Sequence, residues 1–274
     1  KSLETDPFRI RGHVPEFDAI VSEIKARSAS TRARLRMKEI SYGDDASETL
    51  DIFYPEGTRD GLPVHMFIHG GYWRMFSKRD YSYVADTITG KGAIAVIVDY
   101  ALMPHVRMEV LVDQVRRAKQ WVLKHIATHG GDVSLFTVSG HSAGAHLASF
   151  LFHRQEAFSG VSAALLLGGL YDLKPLQSSF LRSEIAITDR EVADFSPMLH
   201  SYDGGCHATI AIGAEETPPF HQQADAFALR LRQQGLSVTN ERLEGLNHMS
   251  SVRDLGLPET AIGRILGKTI AYAR

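Results

Sequence analysis

Short apolar runs alternate with amphipathic stretches along most of the chain, and this alternation constrains the fold more than any other feature. Runs such as 64–68 and 93–98 have the length and content of strands buried in a parallel sheet. Residues 108–125 place their apolar side chains on one face of a helix. The predicted strands are 36–42, 49–54, 64–68, 93–98, 134–138, 163–167, 209–212 and 237–243, and the predicted helices are 15–35, 81–89, 108–125, 143–153, 220–234 and 259–273. This order predicts an α/β fold, with a mostly parallel central sheet and helices on both faces.

A single domain accounts for the whole chain, residues 1–274, because no repeat, low-complexity tract or flexible linker divides it. Residues 171–200 fit no strand position in the alternating order. In open α/β sheets, ligands bind beyond the carboxyl ends of the strands, so this insertion is placed to cover a site. We therefore expect a small lid, formed by the insertion and by the N-terminal helix at about 15–35.

The composition excludes several kinds of partner. The net charge of −2 produces no field that would recruit nucleic acid or an anionic membrane. No apolar stretch approaches the roughly 20 residues of a membrane-spanning helix, and the first residues lack the apolar segment of a signal peptide. The single cysteine, Cys206, cannot form an internal disulfide, which favours a reducing compartment. We expect a cytoplasmic protein with no nucleic-acid or membrane partner, and a homodimer stays open.

Residues 140–144, Gly-His-Ser-Ala-Gly, match the G-x-S-x-G pattern of a nucleophile elbow. The pattern alone is weak, since short motifs of common residues occur by chance. Here it follows the predicted strand 134–138 and opens the predicted helix 143–153, which is the strand–turn–helix setting of an elbow. Glycines on both sides let the flanking backbones approach closely in the tight turn. Ser142 is therefore the predicted nucleophile.

A second glycine-containing loop follows the predicted strand 64–68 and reads His-Gly-Gly-Tyr-Trp over residues 69–73. In folds with a nucleophile elbow, this loop supplies one backbone N–H group to the oxyanion hole, and the residue after the nucleophile supplies another. One such fixed donor stabilises the tetrahedral intermediate by about 3 kcal/mol. The predicted oxyanion hole consists of Gly70, Gly71, Tyr72 and Ala143.

His248 is the predicted general base. In folds with such an elbow the acid and then the histidine follow the serine along the chain, and the histidine comes after the last strand. His248 follows the last predicted strand, 237–243, and no histidine lies between His221 and His248 or beyond. An imidazole ionises near neutral pH, as a general base requires.

The acid that orients this imidazole is expected in the loop after the strand 209–212. Glu215 and Glu216 lie side by side in that loop, and Glu216 is favoured because it comes just before the prolines that open the next helix. Glu215 is one alternative. Asp172, which follows the strand 163–167, is the other, because some triads take their acid from that strand end.

These motifs resemble those of the kynurenine formamidase branch of the hormone-sensitive-lipase-like esterases, within the α/β-hydrolase superfamily. Residues 69–73 and 140–148 carry the likeness, and 50–55, 99–104 and 213–220 extend it over nearly the whole chain. Residues 99–104 are similar to a D-Y-R-L-x-P segment, with Ala101 in place of arginine. Residues 213–220 are similar to the acid loop G-x-x-D-S-P-E-F, with Glu216 in place of aspartate. The resemblance implies an α/β-hydrolase fold, an esterase or amidase activity, and Glu216 as the acid of the triad.

Three functional hypotheses differ in the chemistry that they imply. The first is a serine hydrolase of small carboxylic esters or of N-formyl or aryl amides, with an arylformamidase acting on N-formylkynurenine as its narrower form. The second is a non-catalytic ligand-binding protein on a hydrolase fold, which would usually lack the nucleophile or the base, whereas Ser142 and His248 are both present. The third is a metallohydrolase that uses His65 and His69, but no H-E-x-x-H motif or ligand cluster accompanies them. The serine hydrolase is favoured, and it needs no metal or organic cofactor.

An aromatic, mostly apolar pocket is expected, which favours a small apolar or aryl substrate. Its expected walls are Trp73, Tyr100, Tyr171, His200 and Met249, together with Tyr72 and Leu102. Because the insertion 171–200 is short and carries several charges, we expect short acyl groups, formyl to butyryl, to be preferred over long chains.

Overall fold

The structure is a computed structural model that describes residues 5–57 and 59–273. Its strands are β1 (Met37–Ser41), β2 (Thr49–Phe53), β3 (Leu62–Ile68), β4 (Ile94–Val98), β5 (Gly131–His141), β6 (Ala163–Leu167), β7 (His207–Gly213) and β8 (Val238–Leu243). Its helices are α1 (Phe17–Arg34), α2 (Ala85–Gly90), α3 (Met108–His125), α4 (Ala143–Ser149), α5 (Leu181–Glu184), α6 (Asp189–Phe195), α7 (Pro218–Gln233), α8 (His248–Leu255) and α9 (Ala261–Ala271). No helix within the described ranges is both long enough and apolar enough to cross a membrane.

The strands form one sheet in the order β1-β2-β4-β3-β5-β6-β7-β8. The pairs β1–β2 and β2–β4 are antiparallel, and each pair from β4 to β8 is parallel. The chain order reverses around β3, which lies between β4 and β5. Ligands of open α/β sheets bind at such a reversal, outside the carboxyl ends of the strands. The loop after β3 and the loop after β5 meet at this point.

Apolar layers cover both faces of the sheet because its central strands are buried on both sides. Every residue of β4 is buried, for example. One layer contains Leu111 of α3, Leu147 of α4 and Phe227 of α7. The opposite layer contains Ile24 of α1 and Leu266 of α9, together with side chains of α2 and α8. The sheet is thus a fixed base from which the loops at its carboxyl edge project.

The predicted α/β architecture and the order of its strands and main helices are confirmed, and α3 and β6 have the predicted bounds. Two differences concern the carboxyl edge of the sheet. β5 continues to His141, so that it ends directly before Ser142, and an additional helix, α8, begins at His248.

The insertion 171–200 contains the short helices α5 and α6 and several single turns. α1 is anchored in the core through Ile20 and Ile24, and the segment that precedes it, residues 6–12, lies against the carboxyl edge of the sheet. The description of residues 1–274 as a single domain with a lid from these two regions stays a prediction.

Candidate active site

Ser142 lies in the sharp turn between β5 and α4. Its φ of +58° and ψ of −120° are a strained conformation for a residue with a side chain. The turn requires glycine on both sides: a Cβ on Gly140 would lie 2.1 Å from Gly144 O, and one on Gly144 would lie 2.0 Å from Ile68 O. The Ser142 N–H group donates a hydrogen bond to Leu167 O at 2.8 Å, which ties the turn to β6. This backbone is that of a nucleophile elbow, with the serine beyond the end of the sheet.

His248 is the first residue of α8, and Asn247 caps that helix. Asn247 Oδ1 accepts hydrogen bonds from the N–H groups of Met249 at 2.9 Å and Ser250 at 2.8 Å. The Asn247 N–H group donates in return to Ser250 Oγ at 2.8 Å. A reciprocal cap of this kind holds the first turn of a helix in place. The backbone of His248 is therefore fixed by a helix, although the sequence analysis predicted no helix at this position.

Glu216 lies in the tight turn after β7. Its N–H group donates to Gly213 O at 3.1 Å, and its Oε2 accepts from the Gly213 N–H group at 3.2 Å. These bonds aim Oε1 at His248, whose Nδ1 lies 2.5 Å away. Glu215 is exposed, and Asp172 Oδ1 accepts from a backbone N–H group of its own loop. Of the three candidate acids, the structure brings Glu216 to the imidazole.

Ser142, His248 and Glu216 form one hydrogen-bonded row. His248 Nδ1–H donates to Glu216 Oε1, which leaves Nε2 to accept from the Ser142 hydroxyl at 2.9 Å. The three residues are only 3%, 5% and 7% exposed, respectively. Hydrogen bonds between polar groups shielded from water in this way are stronger than in solvent. The row can therefore remove the proton from Ser142 Oγ as this atom attacks a carbonyl carbon.

The predicted oxyanion loop lies beside the elbow. It leaves β3, which pairs with β5 up to Ile68 opposite Gly140. Gly70 is so close to the elbow that a Cβ there would lie 2.7 Å from His141 O and 3.2 Å from Ser142 Cβ. Within residues 5–57 and 59–273, no hydrogen-bond acceptor pairs with the backbone N–H groups of the predicted donors, which are Gly70, Gly71, Tyr72 and Ala143. Free donors beside Ser142 are what an oxyanion hole needs.

His141, the variable residue before the serine of the elbow, holds the base in place. Its Nε2–H donates to His248 O at 2.9 Å, and the two ring centroids are 4.7 Å apart. Burial, with a smaller contribution from the nearby His248, holds the pKa of His141 well below its usual range. His141 is therefore a neutral support of the imidazole. The sequence analysis did not predict this contact between His141 and His248. The feature that could have indicated it is a large polar residue directly before the serine of the elbow.

Ser142 and His248 open into a cavity of about 240 Å³. Its walls come from the segment before α1, the loop after β3, the elbow and the insertion. The other lining residues are Arg9, Ile10, Arg11, Phe17, Gly71, Tyr72, Arg74, Met75, Phe76, Tyr81, His141, Phe180, Glu184 and Met249. The cavity is thus partly aromatic, as expected, but it also contains arginine side chains that the sequence reading did not anticipate.

A family model described as alpha/beta hydrolase fold matches residues 65–251. The chain belongs to the α/β-hydrolase family. The kynurenine formamidase of Danio rerio is 28% identical over 281 residues, which cover 98% of this hydrolase and 94% of that protein. The carboxylesterase NlhH of Mycobacterium tuberculosis is 30% identical over 167 residues, which cover 58% of this hydrolase and 52% of that protein. A crystal structure from Silicibacter sp. superimposes with a TM-score of 0.83 and 24% identity, over 98% of this chain and 100% of the other.

Four of the five predicted substrate-binding residues lie outside the cavity of this hydrolase, and only Met249 lines it. Trp73 is fully buried, and its Nε1–H donates to His146 Nδ1 at 3.0 Å. Tyr100 is buried against the loop after β3, and its hydroxyl donates to His69 O at 2.7 Å. Both side chains point into the core, where the polar group of each one forms a hydrogen bond.

Tyr171 and His200 are the other two residues that were predicted to bind substrate but lie outside the cavity. Tyr171 is fully buried and stacks on Phe227 of α7, with ring centroids 4.2 Å apart. His200 stacks on His153 at 4.7 Å, and its Nε2–H donates to Asp194 O at 2.7 Å. Both residues fix the insertion to the body of the hydrolase. Tyr72, also expected in the pocket wall, lines the cavity, whereas Leu102 does not.

The two histidines of the metallohydrolase hypothesis take part in packing. Both ring nitrogens of His65 are hydrogen-bonded, to Thr137 Oγ1 at 2.7 Å and to Ser139 Oγ at 2.6 Å, and burial lowers the pKa of His65 to about 3. His69 stacks on Tyr100, with ring centroids 4.4 Å apart. In the part of the chain that the structure describes, no three His, Cys, Asp or Glu side chains group in a way that could hold a metal ion.

Proposed function

We propose that this hydrolase cleaves small carboxylic esters or N-formyl and aryl amides through a covalent acyl-enzyme on Ser142. The observation that carries the proposal is the row of Ser142, His248 and Glu216, with distances of 2.9 and 2.5 Å between them. Ser142 and His248 line a cavity that can admit a substrate. Relatives named as kynurenine formamidase and as carboxylesterase support both kinds of substrate. The proposed chemistry uses no metal and no organic cofactor.

The first half of the reaction forms the acyl-enzyme. His248 Nε2 accepts the hydroxyl proton while Ser142 Oγ bonds to the carbonyl carbon, and the carbonyl oxygen becomes an oxyanion. The N–H groups of Gly70, Gly71, Tyr72 and Ala143 are the proposed donors to this oxygen. His248 then gives its proton to the leaving alcohol or amine as the tetrahedral intermediate collapses. The hydrogen bond from His248 Nδ1 to Glu216 stabilises the transient imidazolium.

The second half releases the acid. A water molecule enters where the leaving group was, His248 removes its proton, and the resulting hydroxide attacks the acyl carbon. Collapse of the second intermediate returns the proton to Ser142 Oγ and frees the carboxylic acid, or formic acid from a formamide. The same three residues serve both halves, because the base of one step is the acid of the next.

Small substrates are part of the proposal. A cavity of about 240 Å³ is smaller than most ligand pockets, which span roughly 300–1,000 Å³. Phe180 and Glu184 of the insertion close one side of it. Phenyl esters from formyl to butyryl should therefore be cleaved much faster than the dodecanoyl ester. A kcat/KM that rises steadily toward the dodecanoyl ester would contradict this part of the proposal.

An arylformamidase that acts on N-formylkynurenine is the second candidate function. It is supported by the match to the Danio rerio enzyme over 98% of this chain. Assay of N-formylkynurenine and N-formylaniline beside phenyl formate and phenyl acetate separates the two candidates. A kcat/KM for the formamides that exceeds that for the esters favours the formamidase, and the reverse order favours a general esterase.

Covalent labelling tests the serine mechanism. A fluorophosphonate should label the wild-type protein at the peptide that contains Ser142, and Ser142→Ala should abolish both labelling and nearly all hydrolysis. Residual catalysis of roughly 10³–10⁴-fold over water is expected, as in other triads without their nucleophile. Ser30→Ala, which changes an exposed serine of α1, is the matched control and should keep full labelling. Substantial turnover by folded Ser142→Ala protein would refute the mechanism.

We also propose a cytoplasmic location and the absence of nucleic-acid and membrane partners, and we leave a homodimer open. The location is supported by Cys206, the one cysteine of the sequence, which is buried and has no intramolecular partner for a disulfide. The net charge of −2 supports the absence of polyanionic partners. Light scattering of the purified protein measures the mass in solution and so tests the homodimer.

A further inference from the structure

The loop after β3, residues 69–73, has a strained backbone. Gly71, Tyr72 and Trp73 have φ angles of +111°, +49° and +60°, and this region is unfavourable for residues that carry a side chain. Strain of this kind persists only where the surrounding structure holds the backbone in place. The contacts of the loop therefore indicate what fixes two of the proposed oxyanion donors, the N–H groups of Gly70 and Gly71.

Segment 99–104, which follows β4, holds both ends of this loop. β3 and β4 are adjacent parallel strands, so the segments that follow them lie side by side. At the beginning of the loop, the Tyr100 hydroxyl donates to His69 O at 2.7 Å. At its end, the Met103 N–H group donates to Trp73 O at 2.7 Å. The strained loop is thus attached to a neighbouring strand end on both sides.

Tyr100 is itself firmly placed. Its side chain is only 3% exposed, and its ring stacks on that of His69, with ring centroids 4.4 Å apart and an interplanar angle of 12°. Burial, with smaller contributions from Asp99 and Tyr81, raises the pKa of the Tyr100 hydroxyl well above its usual range. The hydroxyl therefore keeps its proton in mildly alkaline solution and remains a donor to His69 O.

The geometry of the peptide bond carries this contact to the oxyanion hole. In a planar trans peptide the C=O and N–H groups point in opposite directions, so a hydrogen bond that fixes one also fixes the other. His69 O and the Gly70 N–H group belong to the same peptide, and the Tyr100 hydroxyl therefore sets the direction of that N–H group. The His69 ring acts on the next peptide: its Nδ1–H donates to Gly70 O at 2.7 Å, which sets the direction of the Gly71 N–H group.

We propose that Tyr100 is a positioning residue of the oxyanion hole, which acts through His69 O on the Gly70 N–H group. This inference rests on the proposed function, and it adds a residue outside the cavity on which stabilisation of the oxyanion depends. If the hydroxyl only satisfied a buried polar group, as most buried tyrosines require, its loss would change the stability of the protein and nothing else. A positioning role also weakens the binding of an oxyanion.

Inhibitor binding to the whole protein tests this role. With 2,2,2-trifluoroacetophenone, Ser142 Oγ should bond to the carbonyl carbon, the π electrons of the carbonyl should become a lone pair of the oxyanion, and the serine proton should move to His248 Nε2. Acetophenone has a similar shape and binds as a neutral ketone. The wild type should therefore bind trifluoroacetophenone much more tightly than acetophenone.

Tyr100→Phe removes only the hydroxyl oxygen. Loss of a direct oxyanion donor lowers kcat by roughly 10²–10³-fold, and Tyr100 acts one peptide away, so the Ki of trifluoroacetophenone should rise by about tenfold. The Ki of acetophenone should stay within about twofold of the wild-type value, because a neutral ketone depends little on the oxyanion hole. Both Ki values are properties of the folded protein, so a lower stability of the variant does not imitate the effect.

Tyr202→Phe is the matched control. Tyr202 is also fully buried, and its hydroxyl donates to a backbone carbonyl, Pro197 O, at 2.8 Å, outside the cavity. The same atom is removed from the same kind of bond, and both Ki values should stay within about twofold of those of the wild type.

Steady-state kinetics on phenyl acetate gives the second readout. In Tyr100→Phe, kcat should fall by about tenfold and KM should change little, as for an interaction that matters in the transition state alone. Hydrolysis by the wild type, combined with a preference for trifluoroacetophenone that survives Tyr100→Phe or with an equal rise of both Ki values, would reject the positioning role and retain the proposed function. A wild type without hydrolysis and without that preference would reject the proposed function and, with it, this inference.

Discussion

At the scale of single residues, the surroundings of a side chain decide its task more than its type does. Four buried histidines of this hydrolase show this. His248 bridges Ser142 and the acid, His141 donates to the backbone of His248, and His65 joins β3 to β5 through two hydroxyls. His146 accepts from an indole N–H group and donates to a carbonyl of the insertion. Of the four, only His248 has a nitrogen facing a nucleophile.

The first prediction concerns the acid. Glu216→Gln should lower kcat by roughly 10⁴-fold, because an amide no longer holds the imidazole in the tautomer that accepts the serine proton. Glu215→Gln, which makes the same change at the exposed neighbouring residue, should leave kcat within about twofold of the wild type. Steady-state kinetics on phenyl acetate measures both. An equal loss in the two variants, or a larger loss in Glu215→Gln, would show that the acid is misassigned.

The second prediction concerns His141 as a positioning residue. His141→Ala removes the donor to His248 O, so kcat should fall about tenfold while KM changes little, in line with the loss of one hydrogen bond at a site that needs exact geometry. His141→Gln places an amide N–H group near the position of Nε2 and should restore part of kcat.

The free energy of unfolding of both His141 variants provides the control for this second prediction. If the role of His141 were only structural, kcat would follow the fraction of folded protein, and correction for that fraction would remove the effect. If Gln restored stability but no kcat, the proposed support of the base would be wrong.

At the scale of elements, the strength of the local pattern decided what could be predicted. The helix α3 and the strand β6 were predicted with their observed bounds because apolar periodicity marks them throughout. α8 was missed because it is only eight residues long and begins inside what reads as a loop. Its signal was the pair Asn247 and Ser250, which form a reciprocal cap.

The third prediction concerns this cap. Asn247→Ala should destabilise the protein by about 1 kcal/mol and should also lower kcat, because α8 carries His248 at its first position. Thr260→Ala is the matched control: Thr260 Oγ1 accepts from the Gly263 N–H group at 3.2 Å and caps α9, away from the cavity. It should cost a similar free energy of unfolding with kcat unchanged. If kcat were the same in the two variants, the cap of α8 would affect stability alone, and the prediction would be wrong.

At the scale of the whole molecule, topology explains which parts of the site the sequence could predict. Ser142, Glu216 and His248 each follow a strand of the parallel sheet, so the order of strands placed them at one edge. The cavity walls come from pieces that no strand order relates, such as Arg9 before α1 and Phe180 in the insertion. Trp73, Tyr100, Tyr171 and His200 also follow strand ends or lie in the insertion, but burial turned them away from the cavity, and no local pattern shows that outcome.

The last prediction concerns stability in acid. His65 and His146 are fully buried, and burial lowers the pKa of His65 to about 3 and that of His146 to about 4. In the unfolded chain a histidine has a pKa of about 6.5. Between these values the unfolded state binds protons that the folded state does not, so the free energy of unfolding falls as the pH is lowered. The stabilisation is complete above pH 6.5 and is lost as the pH decreases through 6.5 toward 4 and then 3. At pH 5 the loss is about 2 kcal/mol for each of the two histidines.

Urea unfolding at several pH values between 7 and 4 measures this last effect, and His65→Gln isolates the share of one residue. Glutamine can still hydrogen-bond with the hydroxyls of Thr137 and Ser139, but it does not titrate. Whatever its absolute stability, the variant should lose about 2 kcal/mol less than the wild type between pH 7 and pH 5. If the free energy of unfolding fell equally with pH in both proteins, His65 would bind its proton as readily in the folded state as in the unfolded state. The proposed origin of the acid sensitivity would then be rejected.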